Sequence, residues 1–308
     1  MENRNFRRER DSLGEELIPQ NAYWGIHSLR ARDNFPISQK VPSSLIKAYF
    51  AVKWACARAN TEIGLLEENT GNAILKACEE GMQGKFDEEI IVPILQGGAG
   101  TSLNMNINEV IANRALEILG HQRGSYQIVN PFDSVNLSQS TNDTFVTAVK
   151  VAVLWQLDEL EKEIIFIQEE LQQKEREFAS IAKVGRTQLQ DAVPMTLGQE
   201  FEAYAVTLEE EIDRLNFSAK LFLEINMGAT AIGTGINTEP GYSELVLKYL
   251  REISGLDLIL APNLVEATQD TGSFVMYSSA VKRLAIKLSK ICNDLRLLSS
   301  GPRAGFNE

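Results

Sequence analysis

The sequence predicts a mainly α protein in which an N-terminal domain of shorter helices precedes a bundle of long ones. Three observations predict it. Apolar residues recur at alternating steps of three and four along three long stretches, which is the spacing of a buried helix seam. Helix formers dominate the second half, where Pro and Gly are scarce. Strand-like alternation is weak throughout.

Over the first 140 residues the predicted helices are short, at about Ser44 to Leu65, Asn69 to Met82 and Leu103 to Leu119. Their connecting loops carry Pro, Gly and Asn, which favour turns. The domain boundary is placed here, giving residues 1–141 and 142–308. Beyond it, Val149 to Phe178 reads as one helix, with its seam at Val153, Leu157, Leu160, Ile164, Ile167 and Leu171. A second seam runs from Ala205 through Leu208, Ile212 and Leu215 to Ala219 and Phe222, and a third through Leu284, Leu288, Ile291, Leu295 and Leu298. A shorter helix, Tyr242 to Ile253, lies between them. Matching seams pack against one another at shallow angles. They offer more apolar face than one chain covers, so assembly through the bundle is expected.

The bulk chemistry narrows the function classes. The 308 residues carry a net charge of −12, which argues against a general nucleic-acid binder. Cys56, Cys78 and Cys292 are too few and too scattered for a disulfide framework or a zinc site, and read as buried packing thiols. The N-terminus MENRNFRRERDSLGEE shows no apolar leader core, and no apolar run reaches membrane-spanning length. A cytoplasmic protein without membrane contact is the expectation. His27 and His121 are far apart and read as structural.

Three hydroxyl-rich turns carry the chemistry. In QGGAGTSLNMNINE (96–109), Thr101 and Ser102 stand at a helix start, where free N–H groups and the positive end of the helix dipole suit a carboxylate. No Gly-Lys-Ser/Thr follows, so a nucleotide phosphate loop is excluded. In SQSTND (138–143), Ser140 and Asp143 fit a capping box. Ser140, Thr141 and Asn142 together supply more polar groups than one cap needs. In GRTQLQDAVPMTLGQEF (185–201), Thr187 and Gln188 sit in a polar loop whose Leu189, Ala192 and Val193 suggest partial burial. A fourth stretch, GATAIGTGIN from Gly228, reads as the C-cap region of the second seam helix. Each of these turns is also open to a plain capping or connecting role, and none alone names a reaction.

Taken together and in order, these turns, with NAYWGIHSLRARDNF near the start and KICNDLRLLSSGPRAG near the end, resemble the aspartase/fumarase superfamily over nearly the whole chain. The resemblance implies an L-aspartase-like fold with an incomplete bundle. It implies elimination of ammonia from L-aspartate to give fumarate, in a homotetramer whose sites are shared between subunits. Thr101, Ser140 and Thr141 would hold the β-carboxylate, Asn142, Thr101 and Gln188 would lie near the amino group, and Thr187 would help hold the α-carboxylate. Gln188 stands where fumarases carry histidine, which favours ammonia over water chemistry. No cofactor and no metal ligand are expected. The family's serine base belongs to a G-S-S-x-x-P-x-K-x-N-P loop, which is expected after Glu308; Ser299 and Ser300 do not match it. The alternatives are a fumarate hydratase-like lyase on the same scaffold and a catalytically inert helical assembly fragment.

Overall fold

A computed structural model describes residues 5–307. The first residues of the stretch read for a leader, and Glu308, lie outside the described ones. The chain opens with an antiparallel hairpin, β1 (Phe6–Asp11) and β2 (Gly14–Pro19), pairing Phe6 with Pro19 through Asp11 with Gly14. The buried side chains of β1 are Arg7 and Glu9, paired at 2.7 Å, so charge hides the strand from a hydrophobic reading. Next come α1 (Ile26–Asn34), α2 (Ser43–Ile63) and α3 (Glu68–Met82). Gly64 ends α2 in the left-handed conformation, and the Glu67 carboxylate caps α3 by accepting the Thr70 N–H. α4 (Thr101–Ile118) and α5 (Thr141–Glu177) both begin on residues of the polar turns.

A second antiparallel hairpin, β3 (Ala182–Thr187) and β4 (Gln190–Thr196), stands where a polar loop was expected. α6 (Leu197–Ala219) follows with a full capping box: the Gln199 N–H donates to Thr196 Oγ1 at 3.1 Å and the Thr196 N–H donates to Gln199 Oε1 at 3.0 Å. The remainder is β5 (Glu224–Ile225), α7 (Tyr242–Ser254), β6 (Ile259–Leu260), α8 (Leu264–Gln269) and α9 (Gly272–Leu298). β5 and β6 pair in parallel.

Packing divides the chain into two compact units. The first takes Met1–Val153 and Phe222–Asp270; the second takes Leu154–Leu221 and Thr271–Glu308. In the first, α2 packs against α3 and α7, and α4 packs against α1 and α3. Tyr49, Phe50, Ile74, Leu103 and Ile111 are fully buried there. α1 has little apolar face and no side chain at its N-cap, Gly25. Its opening N–H groups are met from a distance instead. Glu109 of α4 accepts from Gly25 at 2.8 Å, His27 at 2.8 Å and Ser28 at 3.1 Å, and from the Ser28 hydroxyl at 2.5 Å. Glu9 accepts from Ile26 at 2.8 Å.

In the second unit α6 packs on α9. The predicted seams supply the buried rows: Leu157, Ile164 and Leu171 on α5, Leu208 and Leu215 on α6, and Leu284, Ile291 and Leu298 on α9. Each helix also leaves apolar side chains in solvent, among them Phe166, Phe217, Val275 and Ile286. Cys292 departs from the expectation of a buried thiol and is exposed, unlike Cys56 and Cys78. It follows buried Ile291 by one residue, a turn of about 100° that carries it off the inward stripe.

Candidate functional site

The polar turn at 96–102 is shaped by Gly100, at φ +88°, which packs against the Phe145 ring. Gln96, not a hydroxyl, caps α4: its Oε1 accepts the Leu103 N–H at 3.0 Å while its Nε2 donates to Pro93 O at 2.8 Å. Thr101 is thus spared from capping. It stands exposed at the helix start and lines a cavity of about 270 Å³ with Ser102, His27 and Arg30. The His27 ring stacks edge-on against Phe132, and burial lowers its pKa. Arg30 is committed to Asp11 at 2.6 Å and Glu16 at 3.0 Å.

The turn at 138–143 has half of the predicted capping box. The Ser140 N–H donates to Asp143 Oδ1 at 3.0 Å, but Ser140 Oγ accepts from Asn142, at 3.2 Å, one residue short of the expected partner. The other Asp143 oxygen accepts the Thr230 N–H at 3.0 Å. Asn142 Nδ2 donates to Ala231 O at 2.7 Å, and Asn226 Nδ2 donates to both Asn142 O and Thr268 Oγ1 at 3.1 Å. The stretch from Gly228 is therefore not a helix cap. It is a wall turned back on the start of α5, with Thr230 in the left-handed region at φ +57°. Between these walls lies a cavity of about 540 Å³ lined by Thr141, Asn142, Ala231, Ile232, Val265 and Thr268.

Beneath this turn is a buried polar layer that the sequence reading did not single out. Lys53 Nζ donates to Asn136 Oδ1 at 2.9 Å and Gln139 Oε1 at 2.8 Å. Asn104 and Asn108 donate to the same Asn136 oxygen at 3.0 and 3.1 Å. Tyr49 OH donates to Asn104 at 2.9 Å, and Ser138 donates to Asn60 at 2.9 Å. These bonds fix the approach to Ser140. A signal was available: Asn104, Asn106, Asn108 and Glu109 crowd one short segment of an otherwise apolar helix, and buried polar side chains need designated partners.

Burial shifts the ionisable groups of this layer. It pushes the Lys53 amine down to about 8, Asp143 up to about 7 and the Cys56 thiol up to about 12. It also pushes Glu109 up to about 7 from an ordinary 4.5. Between those two values the folded chain holds a proton that the unfolded chain has released. The stability contributed by this group is therefore full below about 4.5 and lost as pH rises through about 7. The difference in urea midpoint between the native chain and Glu109→Gln is expected to shrink from pH 5 to pH 8. A constant difference would contradict this.

The second unit carries the remaining two candidates at the tip of its hairpin. Thr187 pairs with Gln190, and the two residues between them, Gln188 at φ +52° and Leu189 at φ +63°, form a tight left-handed turn. The expected partial burial is corrected here, since Leu189 and Val193 are about two-thirds exposed in this chain. A hairpin satisfies its own backbone, so the apolar side chains are free to point outward. Gln188 lines a cavity of about 350 Å³ with Lys183, Arg186, Glu200, Lys290 and Asp294. The Arg186 guanidinium lies 4.1 Å over the Phe306 ring. The structure thus joins Ser140, Thr141 and Asn142 in one turn and sets Thr101 in the same unit, while Thr187 and Gln188 belong to the other.

Among known proteins, the family model described as lyase matches residues 14–308. This chain belongs to the aspartase/fumarase lyase family. Aspartate ammonia-lyase of Escherichia coli (strain K12) is 51% identical over 308 residues, covering 99% of this chain and 64% of the relative. Of solved structures, the fumarate lyase:delta crystallin of Brucella melitensis bound to cobalt superposes with a TM-score of 0.96 at 52% identity, over 98% of this chain and 66% of that one. The class II fumarase of Schistosoma mansoni superposes at 0.90 with 31% identity, over 97% and 67%. The family match accords with the mainly α, aspartase-like fold read from the sequence. The chain spans about 64% of the length of the Escherichia coli relative it matches. Among the described residues, no helix is long and apolar enough to cross a membrane, and no cluster of His, Cys, Asp or Glu has the makings of a metal site.

Proposed function

We propose that this chain contributes to an aspartate ammonia-lyase, which removes ammonia from L-aspartate to give fumarate. The observation that carries the reading is the start of α5. Ser140, Thr141 and Asn142 crowd one helix N-terminus beside a cavity of about 540 Å³, with Thr101 at another helix start. Identity of about half to a relative of that name, over nearly the whole chain, supports the same reaction.

The chemistry follows from charge. Removing a Cβ proton from aspartate leaves a carboxylate bearing extra negative charge. Hydroxyl donors and helix N-termini aimed at that group stabilise it as it forms. Thr101, Ser140 and Thr141 are assigned the β-carboxylate, Asn142 and Gln188 the amino group, and Thr187 the α-carboxylate. The family's serine loop, which supplies the base, has no counterpart within residues 1–308. The exposed apolar residues of α5, α6 and α9 support association with further copies, in a homotetramer with shared sites as the family resemblance implies. A cytoplasmic setting accords with free Cys56 and Cys78.

The test is the appearance of fumarate by ultraviolet absorbance, made on the product of the complete reading frame, so that the serine loop is supplied, with L-aspartate and L-malate offered in parallel. Turnover of aspartate alone is the expected result, and turnover of malate alone would sink the assignment. Thr141→Ala is expected to lower kcat/KM for aspartate by roughly 100-fold, the usual loss for one oxyanion donor.

A further inference from the structure

Asp143 has no role in the chemistry proposed above, yet its bonds reach both sides of the cavity that holds Thr141 and Asn142. It is fully buried. One oxygen accepts the Ser140 N–H and the other the Thr230 N–H, each at 3.0 Å. Ser140 begins the wall that presents Thr141 and Asn142. Thr230 precedes Ala231 and Ile232 on the opposite wall. The remaining ties between the walls run through neutral amides, Asn142 to Ala231 and Asn226 to Asn142.

We infer that Asp143 is the positioning residue of this cavity, holding the wall of Thr141 and Asn142 at a set distance from the wall of Thr230 and Ala231. The inference rests on the dicarboxylate reading of the cavity. Geometry requires an acceptor at both ends of the group. An amide of the same size keeps one acceptor and turns an NH₂ toward the other backbone N–H. Donor then faces donor, and one wall is released. The charged or titratable groups facing Asp143 are Lys53, Tyr49 and Cys56 from α2 and Tyr242 from α7. None of them bonds to the carboxylate, so none substitutes for it.

The experiment compares the full chain with Asp143→Asn and with Glu109→Gln, a variant of a buried carboxylate in the same unit that does not line the cavity. Succinate binding is measured by calorimetry at pH 7.5, and amide hydrogen exchange is followed at Ser140 and Thr230. For Asp143→Asn, succinate affinity is expected to fall roughly 10- to 100-fold, the scale of a misplaced binding group. Exchange should rise at Ser140 or Thr230 while the exchange pattern of α2 and α3 is kept. Glu109→Gln should lower the unfolding midpoint yet leave succinate affinity and Thr230 exchange unchanged. Equal succinate affinity for Asp143→Asn and the native chain overturns the inference. So does unchanged exchange at both amides. If the native chain itself binds no succinate, the lyase reading of the cavity fails. The exchange comparison then decides the clamp alone, with faster exchange supporting it and unchanged exchange refuting it.

Discussion

Glu109→Ala is expected to destabilise the first unit by about 3–5 kcal/mol, the cost of leaving several buried donors without an acceptor. The carboxylate accepts three backbone N–H groups and one hydroxyl at the start of α1. All lie where water cannot replace it, since Glu109 is fully buried. Alanine leaves these donors empty and opens a void between α1 and α4. Glu9 still meets Ile26, so the helix start frays rather than vanishes. Urea unfolding of the chain measures the loss; a change below about 1 kcal/mol would mean that α1 is capped by other means. Glu109→Gln should fall between, because it retains one acceptor oxygen.

The second large effect is expected at Gly100. A Cβ there meets the Phe145 ring, and φ +88° disfavours any L side chain. Gly100→Ala should therefore cost about 2–4 kcal/mol, combining backbone strain with overpacking. Gly64→Ala separates the two contributions. Its φ is +85°, nearly the same, but a Cβ there meets nothing within 4 Å. It should lose only about 1 kcal/mol. Equal losses at the two positions would show that Phe145 yields freely. The unequal result would show that the first turn of α4, and with it Thr101, is set by contact with α5.

The helices were legible because their inward stripes are apolar. Leu157, Ile164 and Leu171 recur every seven residues, and all three are buried. The start of α5 was legible from chemistry, since Ser140 and Asp143 do share a hydrogen bond. Both hairpins were missed for physical reasons. β1 buries Arg7 and Glu9 as a pair, which inverts the usual signal. β3 and β4 leave Val184 and Val193 outside, so their alternation points to no core within this chain. The polar layer around Lys53 and Asn136 was legible only on its α4 side, in the run from Asn104 to Glu109. Its members come from α2, α4 and the loop before α5, and only the fold brings them together.

The tie between Lys150 and Glu224 has an architectural consequence. Lys150 Nζ donates to the Glu224 carbonyl at 2.7 Å, next to the points where the chain leaves the first unit and comes back to it. The residues from Leu154 to Leu221 are thus an excursion whose two ends are pinned side by side. Whatever replaced the excursion would have only a short gap to span, but it would also have to supply the face on which α9 packs. The polar start of α5 lies on the retained side of that pin. Diversification of the long helices can therefore proceed without redesigning the turn of Ser140, Thr141 and Asn142.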